Sequence, residues 1–171
     1  EEILRRYFTA CCNALRGKDC SDEIYKLELL LGQAGLTTDD RACAAAATRT
    51  AANTGTPCAA IELENGDLIT GKTTELLGCA SAMLLNALKH LGGIPDETLL
   101  ISPQVIRPIQ ALKTRHLGSH NPRLHTDEVL IALSMCAVTD PNAALALEQL
   151  GKLRDCEVHC SVLLSSVDEN T

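Results

Sequence analysis

The dipeptide Asn65-Gly66 constrains this chain more than any other feature of it. Asn-Gly is a preferred pair for a two-residue β-hairpin loop, because both central residues of that turn need positive φ. Short runs suited to strands stand on either side, Cys58-Ala59-Ala60-Ile61-Glu62-Leu63 and Asp67-Leu68-Ile69-Thr70. An antiparallel strand pair is expected there, and the rest of the chain must pack around it. Its flanks read as helical. Residues 2–17 carry Ile3, Leu4, Phe8, Cys11, Cys12 and Leu15 on one stripe that stops at Gly17. A second helix is expected after Cys20-Ser21-Asp22, through Ile24, Leu27, Leu30 and Leu31 to Gly35. Thr37-Thr38-Asp39-Asp40 caps an alanine-rich third, and a fourth runs from about Thr74 to Leu91.

Further along, Thr98-Leu99-Leu100-Ile101 is apolar enough to read as a buried strand. Ser102-Pro103 opens a helix that Pro108 should kink or tighten. Thr126-Asp127-Glu128 starts another, Asp140-Pro141 caps one more to about Leu153, and Glu157–Leu164 suits a last strand. Strands alternating with long helices predict a three-layer α/β/α sandwich with a mixed sheet over residues 37–171, preceded by a helical hairpin over residues 1–36. Hydrophobic residues make up 46% of the chain but aromatics only 2%, so the core must be built from Leu, Ala, Val and Ile.

Composition also excludes partners. No run reaches the roughly 18 apolar residues of a membrane helix. A net charge of −7, scattered basic residues and few aromatics argue against nucleic acid. Nine cysteines at irregular spacing, with no secretory leader, read as reduced thiols in the cytoplasm. Glu1 opens inside a helical pattern with no initiator Met, which suggests a cut site and a further region upstream.

Gly71-Lys72-Thr73-Thr74 resembles the end of a phosphate loop, and Gly66 supplies the upstream glycine at the required spacing. Gly66 is already committed to the turn, however, and a strand fills the interval. What remains is an anion site at the start of the next helix, with Lys72 and Thr73. Cys156, His159 and Cys160 suggest metal ligands, but alternation on a strand turns His159 away from both cysteines, so no metal site is expected. Asn121, Arg123 and His125, followed by Thr126, Asp127 and Glu128, form the densest polar cluster. Capping and the helix dipole account for the acids, while the loop itself is a candidate site. Five His and nine Cys allow too many pairings to assign a catalytic set.

Three stretches carry a family resemblance: Tyr25–Leu30, Leu117–Leu130 with Asn121-Pro122-Arg123-Leu124-His125-Thr126-Asp127-Glu128, and Ser166–Thr171. The chain resembles the C-terminal portion of the bacterial domain-of-unknown-function family 1846. That resemblance implies a longer protein, whose upstream region holds a glycine-rich, phosphate-loop-like stretch, and it brings no activity with it. The order helix, hairpin, long helix, strand, Ser-Pro, helix over Thr38–Lys113 is similar to cytidine-deaminase-like folds. Zinc deaminases place His or Cys, any residue, then Glu on the long helix, and Pro-Cys-x-x-Cys on the next. Here those positions hold Cys79-Ala80-Ser81 and Pro103-Gln104-Val105-Ile106-Arg107. The proton-shuttling Glu is replaced by Ser81, and Arg107 cannot ligate zinc. The resemblance thus implies a deaminase-like scaffold without deaminase chemistry.

The expectation is a cytosolic domain that works with its upstream region, as a homo-oligomer, on an anionic small molecule or nucleotide-related ligand. Lys72, Thr73, Gln104, Arg107, Asn121, Arg123 and His125 are the candidate contacts, with no cofactor and no assignable catalytic residue. A purely structural, assembly-driving module is the alternative.

Overall fold

The hairpin forms at Asn65-Gly66, but not as the two-residue turn: the Gly66 N–H donates to the Leu63 carbonyl at 2.8 Å, and of the pair only Gly66 has positive φ. The computed structural model describes residues 2–171. It pairs β1 (Cys58–Glu62) with β2 (Leu68–Lys72) antiparallel, Ile61 opposite Ile69. Gly66 takes φ +86°, a left-handed conformation that glycine adopts without steric cost. The Asp67 N–H donates to Asn65 Oδ1 at 3.0 Å and braces the turn. A third strand, β3 (Glu157–Cys160), arrives from the far end of the chain and pairs with the free side of β1, Ala59 opposite Cys160. The order is β2-β1-β3, so β1 is central, and its Cys58, Ala59 and Ala60 are fully buried.

This sheet is antiparallel in both pairings rather than mixed. Thr98–Ile101 is not a strand. Its Thr98 N–H bonds the Pro95 carbonyl in a turn, Leu100 and Ile101 plug a helical core, and Leu99 faces solvent. An apolar run reports burial, and here burial is met without a pairing partner. The last strand is shorter than Glu157–Leu164: the Ser161 N–H still donates to the Cys58 carbonyl at 2.8 Å, but the Cys58 N–H turns to Ser161 Oγ at 2.9 Å and the ladder ends there.

Helices cover both faces of the sheet. On one, α3 (Ala42–Thr54) sets Cys43, Ala46 and Ala47 against Ala60. On the other, α4 (Cys79–Gly92) sets Cys79, Met83 and Ala87 against Ala59, Ile61 and Leu63. The approach of α4 to β2 is so close that a Cβ on Gly71 would lie 2.0 Å from the Met83 backbone nitrogen. Gly71 therefore serves helix–strand packing, and the phosphate-loop likeness around it comes from that need. The start of α4 falls at Cys79, later than the expected Thr74, because the Thr74 hydroxyl accepts from the Leu76 and Leu77 N–H groups and holds a turn before the helix.

The far side of α4 joins a second core. Leu88, Leu124, Val129 and Leu133 meet there, between α4, α5 (Pro103–Arg115), α6 (Thr126–Cys136) and α7 (Pro141–Glu148). Pro108 lies inside α5 without ending it. Ahead of the sheet, α1 (Glu2–Leu15) and α2 (Ser21–Ala34) pack on each other. A short α8 (Ser166–Asn170), capped by Ser165, closes the chain and had no signal beyond its cap. Among the described residues no helix is long and apolar enough to cross a membrane.

Candidate functional site

An open sheet edge is a template for pairing with other chains unless something covers it. The outer edge of β3 is covered by charge and by an aromatic ring. Arg41, just before α3, donates to the Val158 carbonyl at 3.2 Å and pairs with the Glu157 carboxylate. Phe8 of α1 lies beneath it, its ring centre 5.6 Å from the guanidinium carbon. The same ring meets His159 edge-on at 4.6 Å. Burial, helped by the Arg41 charge, holds the His159 imidazole below its ordinary range, which favours the neutral ring.

Beside this cover a cavity of about 850 Å³ opens between α1, β3, the start of α4 and the C-terminal segment. Volumes of roughly 300–1,000 Å³ are typical of small-molecule sites. Ile61, Met83, Leu84, Leu130 and Leu164 give it an apolar lining, and Arg5, Arg16, Arg41 and Arg154 bring four cations to it. Arg5 pairs with Glu2, and Arg16 with Glu169 at 2.8 Å. Among the described residues Arg154 has no acidic partner. An anion entering here meets preoriented guanidinium groups, one of them uncompensated.

Thr126 and Asp168 bring a polar cluster to the same cavity. Asp168 Oδ2 lies 2.8 Å from His125 Nδ1 and accepts from Ser165 Oγ at 2.9 Å. Its Oδ1 accepts from the Thr126 N–H at 2.9 Å. Burial alone would raise the Asp168 carboxyl, but the bonds to His125, Thr126 and Ser165 outweigh it and hold the group below the usual carboxylate range. Serine, histidine and aspartate meet here without forming a nucleophilic triad. Ser165 sits 3.4 Å from Nδ1, the nitrogen already facing Asp168, whereas a serine nucleophile needs the opposite nitrogen. The cluster ties α8 to the start of α6.

Deeper in the wall, Cys79 begins α4 with its thiol turned toward Cys160. The hydrogen bond from Cys160 lowers the Cys79 thiol to about 7 against the opposing effect of burial, with Thr73 and the Ala80 N–H adding to it. Cys160 moves the other way, because it keeps the proton it shares with Cys79, because it is buried, and because a second negative charge beside the first is unfavourable.

The residues singled out from sequence fall elsewhere. Lys72 ends β2 in solvent, and half-buried Thr73 bonds the Cys79 thiol. Gln104 and Arg107 are exposed on α5. Asn121 Oδ1 accepts from the Arg123 N–H at 3.1 Å, and Arg123 Nε donates to the Thr74 carbonyl at 2.7 Å. That bond and the Leu77–Leu124 bridge join the two polar loops. His125 reaches Asp168 instead. None of the seven lines the cavity. Sequence reasoning missed Arg5 and Arg16, although Arg5, Phe8, Thr9, Cys12, Asn13 and Arg16 share one face at helical spacing. Arg41 and Arg154 carried no local signal.

These features define a helix-rich mixed α/β domain with a small antiparallel sheet and a cation-bearing cavity at its edge. Residues 39–171 match the family model described as "Domain of unknown function DUF1846, C-terminal", and the chain belongs to that family. A UPF0371 protein of Corynebacterium diphtheriae is 54% identical over 99% of this chain. One from Corynebacterium glutamicum is 51% identical and one from Streptococcus pyogenes 44% identical, each again over 99% of the chain. The chain spans about one third of the length of these relatives, 34% in each case. The family is uncharacterised, and no specific function accompanies it.

Proposed function

We propose that this domain is the C-terminal portion of a larger cytoplasmic protein, in which it binds a small molecule with an anionic group and an apolar body, a nucleotide being one such ligand. The carrying observation is the cavity of about 850 Å³ with its apolar lining and its four arginines. The anion meets Arg16 and Arg154, the apolar part lies over Met83, Leu84 and Leu130, and neutral His159 offers a hydrogen bond. Zinc deamination is no part of this reading, because Gln104 and Arg107 stand where that chemistry needs thiolates. In this reading residues 37–171 form a three-layer α/β/α sandwich of cytidine-deaminase-like arrangement that has lost the metal chemistry.

A second reading has its own observation. On α6, Ile131 and Met135 are 61% and 68% exposed, and Val138, in the turn just past its end, is 82% exposed. Apolar groups exposed in this way suit contact with the upstream region or with a second copy in a homo-oligomer.

Thermal unfolding against inorganic phosphate, nucleoside phosphates and phosphorylated carboxylates separates the two. A ligand at 100 times its Kd adds about 2.7 kcal/mol to stability. Binding in the cavity requires that Arg154→Ala or Arg16→Ala abolish the shift. A shift that survives both variants, or none with any probe, leaves the assembly reading in its place.

A further inference from the structure

The cavity wall contains chemistry that anion binding does not use. Cys160 lies on the α4 face of β3, since its partner Ala59 packs against α4. Cys79 projects into the same apolar cluster from the first turn of α4. Cys160 lines the cavity while Cys79 sits behind it, only 4% exposed. We propose that Cys79 and Cys160 form a reactive thiol pair, reached through the cavity, that small organic disulfides oxidise to an internal Cys79–Cys160 disulfide.

The arrangement supplies what exchange requires. Attack on a disulfide needs a thiolate with access to the reagent. The pair shares a hydrogen bond and gives up one proton near pH 7, so that one sulfur is charged at neutral pH. The charge rests on Cys79, whose thiol is the lowered one; passing the Cys160 proton across to Cys79 moves the charge to Cys160, the sulfur facing the cavity. Its thiolate attacks one sulfur of a small disulfide RSSR. A mixed disulfide forms on Cys160, the S–S bond of RSSR breaks, and RS⁻ leaves. This RS⁻ takes the Cys79 proton and becomes RSH. The Cys79 thiolate then attacks Cys160 sulfur and expels the second RS⁻. In total the dithiol loses two electrons, RSSR gains them, and one RSH and one RS⁻ are released. Asp168 and Cys12 are the other ionisable groups facing Cys160. Asp168 disfavours negative charge there and so slows the first attack, while Cys12, also on the cavity wall, is the competing thiol. The chemistry holds whichever molecule the cavity binds.

The test incubates the full chain with oxidised glutathione and maps peptides after alkylating the remaining thiols. The expected product links the peptides containing Cys79 and Cys160, ahead of reaction at the other seven cysteines. Cys79→Ser should stall at a glutathione adduct on Cys160, and Cys160→Ser should abolish the link. Should either variant fail to fold, the wild-type map still decides. A Cys12–Cys160 link, or reaction elsewhere while Cys79 and Cys160 stay reduced, would overturn the assignment. A cavity that binds an anion while its thiols stay inert would sink this inference alone.

Discussion

At Gly71 the absence of a single methyl group lets β2 lie against α4. A Cβ there would stand 2.0 Å from Met83 N and 2.5 Å from Met83 Cα, backbone atoms that no rotamer change can move. Gly71→Ala is expected to cost about 3 kcal/mol or more, read as a lower midpoint in urea unfolding; an unchanged midpoint would mean that the helix and strand are not in this contact. Asp168 acts through charge instead. Its carboxyl is held below its unfolded value of about 3.9. Its ionised form therefore stabilises the fold above that pH, and the contribution is lost as pH falls through the lower, folded value. Asp168→Asn should cost about 2 kcal/mol at neutral pH, the scale of a hydrogen bond to a charged group. The gap between variant and wild type should narrow below about pH 4. A gap that stays constant to pH 3 would show that the Asp168 charge adds nothing to the cluster.

Among the elements, α1 meets the sheet through Phe8 on His159 of β3, and Arg16, just past its end, pairs with Glu169 of α8. Phe8→Ala should cost about 2 kcal/mol, less than for a fully buried phenylalanine. Amide exchange should quicken in α1 and leave α4 unchanged; equal exchange in variant and wild type would mean that the hairpin docks by other contacts. This docking also marks the boundary of what sequence could show. The Asn65-Gly66 hairpin was legible because turn and strands are neighbours in the chain. The pairing of β1 with β3 was not, since nothing local says that Ala59 will face Cys160 from the opposite end. Thr98–Ile101 misled because apolarity measures burial and not pairing. The same division holds at the cavity. Its α1 face was readable from the spacing of Arg5, Phe8, Cys12 and Arg16, but Arg41 and Arg154 reach it only through tertiary packing. The conspicuous loop of Asn121, Arg123 and His125 spends its polar groups on local turns and on joining neighbouring segments.

Across the whole molecule two cores share one helix. Leu85 and Leu88 of α4 belong to the core with Leu124 and Leu133, while Cys79, Met83 and Ala87 of the same helix belong to the core with Ala59 and Ile61. Neither core can lose α4 without exposing the other, so the sheet and the helical half should unfold as one unit. The many cysteines provide a probe of this. Cys58 is fully buried in the central strand and reacts with a thiol reagent only when the sheet opens, whereas far-UV circular dichroism follows mainly the helices. Both signals should share one urea midpoint, as two-state unfolding requires. Leu88→Ala empties a fully buried site in the helical core and should cost about 2–5 kcal/mol. If α4 couples the halves, that variant must lower the Cys58 midpoint as far as the helical one, although Leu88 belongs to the other core. If Cys58 keeps its wild-type midpoint while helix is lost earlier, the sheet is an independent unit, and the cavity at its edge stands without the helices behind it.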